Sequence, residues 1–237
     1  MPLYFGLDPL YLVIFGVSMV LSLVAQTWVK SAFGKWSKVG NYANMRGAEA
    51  AAKMLAAEGV YDVRIVRQNA GFLSDNFNPA DKTINLSPDV YDGRSIAAVG
   101  IACHEAGHAL QHASGYAPLK FRSAIVPIAN IGNHFGPPLI IVGMMLGWLG
   151  LAKIGLLLFG AIFLFQLVTL PTEINASTRS KRALVNDGII QPGREAEGVS
   201  SVLGAAAFTY IAAAVGTLLM ILYYAIRLGL VGGRQRD

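Results

Sequence analysis

Cys103 is the only cysteine in the chain. No intramolecular disulfide can form, and nothing points to an oxidising compartment. Charge is scarce as well. Only 14% of the 237 residues are Asp, Glu, Lys or Arg, and the mean hydropathy is +0.49. That balance argues against an ordinary soluble domain and for several membrane spans. The net charge of +5 comes without a basic–aromatic stripe or a nucleic-acid motif. The basic residues flank apolar runs instead, so no nucleic-acid partner is expected. No internal repeat or low-complexity tract is evident, and no Lys or Arg precedes the first apolar run, which therefore lacks the basic start of a secretory signal.

What is present is a short pattern, Cys103-His104-Glu105-Ala106-Gly107-His108. This is H-E-x-x-H. On a helix, residues four apart lie one above the other on the same face. Two imidazoles so placed can share a zinc ion, and the Glu beside the first can reach a metal-bound water as general base. Chance matches to so short a pattern are common, so its surroundings matter. Ser95 to Ala113 reads as a helix, with Ser95 as N-cap and Gly115 as its stop. Small residues (Ala98, Gly100, Ala102, Ala106, Gly107) permit close packing near the motif. Cys103 points away from the metal face and reads as a small core residue.

Four spans are expected. Leu7 to Val29 is long enough to cross, and Lys30, Lys35 and Lys38 follow it. A second span begins near Ile125 and bends at Pro137-Pro138. The third is Ile154 to Leu170 and the fourth Gly204 to Ile226. Of the 19 Lys and Arg, eleven lie between Lys30 and Arg122 and four between Arg179 and Arg194. Lys153, Arg227, Arg234 and Arg236 fall on the other side. The bias places the N-terminus outside and the polar regions in the cytoplasm.

The polar region 31–122 reads as a small α+β unit. A helix at Gly47 to Glu58 is followed by a strand at Asp62 to Arg67, a loop at Asn69 to Asp81, a strand at Lys82 to Leu86, and the motif helix. The second strand is a candidate to pair with an extended substrate, or an ordinary internal strand.

A catalytic zinc takes three protein ligands and a water. His112 lies about 12 Å along the helix axis from His104, too far to share an ion with it, and reads as a helix-surface residue or an outer support. Glu173, at the end of the third span, returns to the motif's side of the membrane. It is a candidate third ligand, or an interfacial carboxylate paired with Arg179 or Lys181. Asp187-Gly188 is a rival acid, although it also suits a helix stop. Asn175 could orient a ligand imidazole or simply be a polar residue at a helix end. His134, at membrane depth, could line the site or be a hydrogen-bonded helix residue.

The chain resembles the YugP-like membrane-bound neutral zinc metallopeptidases, which look like distant relatives of the HtpX-type membrane proteases. The resemblance rests on Leu73-Ser74-Asp75, Leu86-Ser87-Pro88-Asp89-Val90-Tyr91, Gly93 to Ala98, His104 to Ala109 and Leu170 to Ser177. It covers most of the chain. It implies His104, His108 and Glu173 as zinc ligands and Glu105 as catalytic base. One departure is Asp75-Asn76-Phe77-Asn78-Pro79, where the family often carries Asp-His-Tyr-Asp-Pro.

The expected fold is a mainly α membrane protein. It has four transmembrane helices and a small zincin-like cytoplasmic unit carrying the motif helix. The segments expected are 1–30 (first helix), 31–122 (α+β unit), 123–171 (second and third helices), 172–203 (cytoplasmic, with the third ligand) and 204–237 (fourth helix and tail). The expected activity is a zinc-dependent endopeptidase, gluzincin-like, at the cytoplasmic face of a bacterial plasma membrane. Its partners would be the lipid bilayer and a peptide or membrane-protein substrate. The alternative is a zinc-binding membrane adaptor or chaperone that cuts nothing.

Overall fold

The structure is a computed structural model and describes residues 8–69, 71 and 74–231. Leu7, Leu73, Arg234, Arg236 and Asp237, which figured in the reading of the first span, the family marks and the tail, lie outside the described residues. The elements in order are α1 (Pro9–Trp36), α2 (Gly47–Ala57), β1 (Arg64–Arg67), β2 (Asn76–Asn78), β3 (Thr83–Leu86), α3 (Pro88–Tyr91), α4 (Ile96–Ala113), α5 (Ala117–Met145), α6 (Leu149–Asn186) and α7 (Arg194–Arg227). The protein is mainly helical with one small three-stranded sheet. Among the described residues four helices, α1, α5, α6 and α7, are long and apolar enough to cross a membrane. Large apolar side chains such as Val13, Phe135 and Leu157 are well exposed on them, which suits a lipid surround rather than water.

These helices are longer than their apolar cores suggest. α5 starts at Ala117 and runs without interruption past Pro127, Pro137 and Pro138. α6 continues through Pro171 to Asn186. α7 begins at Arg194, ten residues before its apolar run. Hydropathy marks the stretch that lipid must solvate, whereas helix ends are set by capping and packing.

The chain forms two compact units. One comprises residues up to 25, 121–170 and from 209 on; the other comprises 26–120 and 171–208. In the first, α5 and α6 approach closely through small residues. A side chain at Gly155 would meet the Gly136 carbonyl at 2.8 Å and the Ile140 nitrogen at 2.6 Å. Such backbone contact is the usual way apolar helices associate in lipid, where burial from water supplies no drive. Ile140, Tyr223 and Tyr224 form a buried cluster flanked by Tyr11, Ile14 and Phe159.

The second unit is built around α4, most of whose residues are buried. Met54 and Leu55 of α2, Ile84 and Leu86 of β3, Val90 of α3, Leu184 of α6 and Val199 and Leu203 of α7 share its core. The strand order is β1-β3-β2. β3 pairs parallel with β1 (Ile65↔Ile84) and antiparallel with β2 (Phe77↔Ile84). This corrects two sequence expectations. The 69–81 stretch is not all loop, because it contains β2. The Lys82 to Leu86 strand cannot add an extended substrate, because both of its edges are already paired. Among the described residues the unpaired edges belong to β1 and β2. Asn76-Phe77-Asn78 has poor strand propensity and becomes a strand only because β3 offers it a ladder.

Candidate metal centre

α4 begins where the sequence places it. The Ser95 hydroxyl accepts a hydrogen bond from the Ala98 N–H at 3.1 Å, satisfying one orphan donor of the first turn. At the far end Gly115 takes φ +64°. Its N–H donates to the His112 carbonyl at 3.1 Å, and Tyr116 N–H donates to the Gln111 carbonyl at 2.9 Å, a closure that favours glycine.

The helical spacing puts His104 and His108 side by side, ring centroids 4.8 Å apart and nearly perpendicular. The third member comes from α6. Glu173 Oε2 lies 3.1 Å from His104 Nε2 and 3.5 Å from His108 Nε2. The Glu173 and His108 side chains are 5% and 9% exposed, and His104 13%. Among the described residues, these three are the group of His, Cys, Asp and Glu whose ligand atoms converge, all within 4.8 Å of one another.

Close helix packing makes the convergence possible. A side chain at Gly107 would meet the Ala176 carbonyl oxygen at 2.7 Å, so α4 and α6 touch backbone to backbone one turn from the cluster. Ser180 Oγ donates to the Gly100 carbonyl at 3.4 Å further along the same contact. Because α6 continues through Pro171, Glu173, Ser177 and Ser180 follow an i, i+4, i+7 row on one helix face.

The outer nitrogens of both imidazoles are held. His108 Nδ1 lies 3.0 Å from Gln111 Oε1. Gln111 Nε2 donates to the Thr172 carbonyl at 2.8 Å and to Asn175 Oδ1 at 3.0 Å. Asn175 Oδ1 also accepts from Arg179 Nε at 3.0 Å. Both groups facing Gln111 Nε2 are acceptors, which fixes the amide orientation and turns its oxygen to His108. His108 Nδ1 must then carry a proton and point it at Gln111, so that Nε2 is the nitrogen turned toward Glu173. Ser177 Oγ plays the corresponding part at His104 Nδ1, at 3.1 Å.

These contacts test whether the residues fit a metal. A tetrahedral zinc with bonds of about 2.0–2.1 Å holds its ligand atoms about 3.3 Å apart. The two carboxylate–imidazole separations, 3.1 and 3.5 Å, are close to that spacing, and all three donor atoms lie within 4.8 Å of one another. Nε2 of each imidazole faces the Glu173 carboxylate, so a cation, whether a proton or a metal ion, belongs between them. Two nitrogens and one carboxylate oxygen, with the outer nitrogens hydrogen-bonded, are a donor set that suits zinc.

Glu105 is buried at 8% exposure beside the cluster. Burial pushes its carboxyl above the ordinary glutamate range, His104 and His108 partly offset this, and Glu173 and Asp75 add to it. At His108 burial works against the charged form, but the Glu173 and Glu105 carboxylates prevail and raise its pKa. Asp75 is also raised by burial. It accepts from Ser87 N–H at 2.7 Å and Ser87 Oγ at 3.0 Å, tying the approach to β2 to the start of α3. The Cys103 thiol is buried, and burial pushes its pKa up. It is not in the cluster.

The remaining candidates fall elsewhere. Among the described residues Asn175 hydrogen-bonds to Gln111 and Arg179, and so reaches His108 through Gln111. Asp187 lies outside the cluster at the end of α6, where its carbonyl accepts from Lys53 Nζ at 2.5 Å and Gly188 takes φ +65°. His112 is exposed and lies against Phe77, centroids 5.8 Å apart. His134 is exposed, and its Nδ1 bonds the Asn130 carbonyl of its own helix at 2.8 Å. Gln111 and Ser177 were missed in the sequence. Gln111 is three residues after His108 and Ser177 four after Glu173, so helical spacing from the two ligand candidates would have found both.

The family described as "Putative neutral zinc metallopeptidase" matches residues 11–229. The chain belongs to that family. It is also 45% identical over 204 residues to the "Putative membrane protease YugP" of Bacillus subtilis (strain 168), covering 86% of this chain and 90% of that protein. No solved structure matches the chain. The family match spans α4 and α6, and so takes in all three converging side chains.

Proposed function

We propose that the protein is a membrane-bound zinc endopeptidase that hydrolyses peptide bonds at the cytoplasmic face, with His104, His108 and Glu173 holding the ion and Glu105 as general base. The observation that carries this is the convergence of the three donor atoms with a buried Glu105 beside them. When bound, zinc would acidify a water and polarise the scissile carbonyl. Glu105 takes the proton of the attacking water on a carboxylate oxygen and delivers it to the departing amine nitrogen. Its raised proton affinity, caused first by burial, suits a group that must take up a proton before passing it on. Gln111 and Ser177 hold the two imidazoles in register, and the Thr172 carbonyl and Asn175, itself held by Arg179, hold Gln111.

In this reading the α+β unit is zincin-like. An extended substrate adds to the free edge of β2, whose Phe77 lies against His112 of α4. The purified protein is expected to cleave an unfolded membrane-protein substrate, to lose that activity to a chelator, and to regain it with stoichiometric zinc. Chelator-insensitive cleavage would reject the assignment. For orientation, the preponderance of Lys and Arg in 30–122 and 179–194 supports a cytoplasmic site. A cysteine introduced at Asp92 should therefore resist an impermeant thiol reagent in intact cells, and ready labelling there would reverse the topology.

The Gln111 contact gives a separate test of the ligand set. Gln111→Leu is expected to weaken zinc binding about 10- to 100-fold, because His108 loses the acceptor that fixes its tautomer. Gln111→Glu, which keeps an acceptor, should recover part of it. Metal titration of the two variants measures this, and equal, undiminished affinity would remove Gln111 from the site.

A further inference from the structure

A second polar site lies away from the zinc ligands. A cavity of about 620 Å³ is lined by the end of α1 and its following turn, by α3, and by the lead-in to α4. Phe33 and Lys38 form one wall, and Asp89, Asp92, Arg94 and Ser95 belong to the other. The chain pairs across its floor. Ile96 N–H donates to the Val39 carbonyl at 2.8 Å, and Asn41 N–H and Nδ2 both reach the Arg94 carbonyl, at 3.0 and 2.6 Å.

Its charges are not mutually satisfied. The Asp92 carboxylate is taken by Arg67 Nε at 2.7 Å. Arg94 spends one guanidinium nitrogen on the Asn44 carbonyl, and a guanidinium has donors to spare. The Lys38 ammonium and the Asp89 carboxylate make no hydrogen bond or ion pair among the described residues, with each other or with any other group. The walls therefore present two cations able to take an anion, and one free carboxylate able to take a cation. A simple anion would leave Asp89 facing it, and a simple cation would leave Lys38 and Arg94.

The position adds the remaining constraint. Trp28 lies at the end of the apolar part of α1, and Lys30, Lys35 and Lys38 follow it. An aromatic residue and lysines at the end of a candidate span mark headgroup depth, and Phe33 gives the cavity an apolar flank. We propose that this cavity binds the headgroup of an aminophospholipid, with the phosphate on Lys38 and Arg94 and the primary ammonium on Asp89. The recognised chemistry is a phosphate monoanion and a primary ammonium a few bonds apart. A quaternary ammonium, which has no N–H to give Asp89, and a glycerol headgroup, which has no cation, fit less well.

The test uses the full chain in detergent, with native mass spectrometry counting bound lipid. The probes are phosphatidylethanolamine, phosphatidylcholine and phosphatidylglycerol of identical acyl chains, together with soluble glycerophosphoethanolamine. Phosphatidylethanolamine is expected to bind about tenfold more tightly than the other two lipids. Lys38→Ala and Asp89→Asn should each remove that preference. Both side chains are exposed, and unchanged zinc content would show that the fold persists. Glycerophosphoethanolamine binding as tightly as the lipid would keep the site but overturn the membrane as its source. Equal binding of the three lipids, or a preference that survives both substitutions, would overturn the site itself.

Discussion

Glu105→Gln is expected to lower kcat for peptide hydrolysis by about 10²- to 10⁴-fold, with zinc content and thermal stability close to those of the wild type. In barrier terms this is about 2.7 to 5.4 kcal/mol. The substitution keeps the shape of a side chain that sits buried at 8% exposure and removes only its capacity to take a proton. Neither contact that orients the imidazoles, Gln111 to His108 or Ser177 to His104, involves Glu105, so metal binding should survive. The same variant separates the peptidase from the zinc-binding adaptor. An adaptor has no use for a base, and its partner binding would be indifferent to the change. Parallel assays of cleavage and zinc stoichiometry decide it. Cleavage equal to wild type, or none by either protein, would count against the peptidase.

The half of the centre carried by α4 was legible because one helix supplies it. The i, i+4 spacing of His104 and His108, the Ser95 cap and the Gly115 stop are all local, and local rules place them correctly. Glu173 was legible as a candidate, but not the reason its carboxylate meets His104 and His108. Reading the third span as ending at Leu170 treats Pro171 as a boundary, whereas α6 runs on to Asn186. Only in a continuous helix do Glu173 and Ser177 present to α4 together. Proline inside a helix forfeits one backbone hydrogen bond, and packing at Gly107–Ala176 and Ser180–Gly100 offsets that loss; no window of sequence holds both partners. The β2 strand was hidden for a similar reason. Asn76-Phe77-Asn78 is a strand only in the presence of Thr83 to Leu86, and propensity cannot report a partner. Asn175 was read as able to orient a ligand imidazole or as a helix-end polar residue; it meets Gln111, which comes from the other helix and which no local window pairs with it.

Glu173→Ala tests that long-range half. Loss of a ligand should cost more than the roughly 10- to 100-fold expected of an outer support. At a zinc concentration 100 times the wild-type Kd, the wild type gains about 2.7 kcal/mol of stability from the ion. A variant bound 100-fold more weakly gains only about 0.4 kcal/mol under the same conditions. The melting temperature of the wild type should therefore climb with added zinc while that of Glu173→Ala barely moves, and metal analysis should find the variant largely empty. Gly107→Val reaches the same end by another route. Its side chain has no room against the Ala176 carbonyl, already 2.7 Å from a bare Cβ, so α6 must shift and carry Glu173 away from two unaltered histidines. If Glu173→Ala keeps full zinc occupancy, Glu173 is not a ligand. If Gly107→Val alone keeps it, the α4–α6 contact is not what sets the carboxylate's position. The two results are independent, because one substitution removes the donor atom and the other leaves every donor atom in place and changes only the distance between helices.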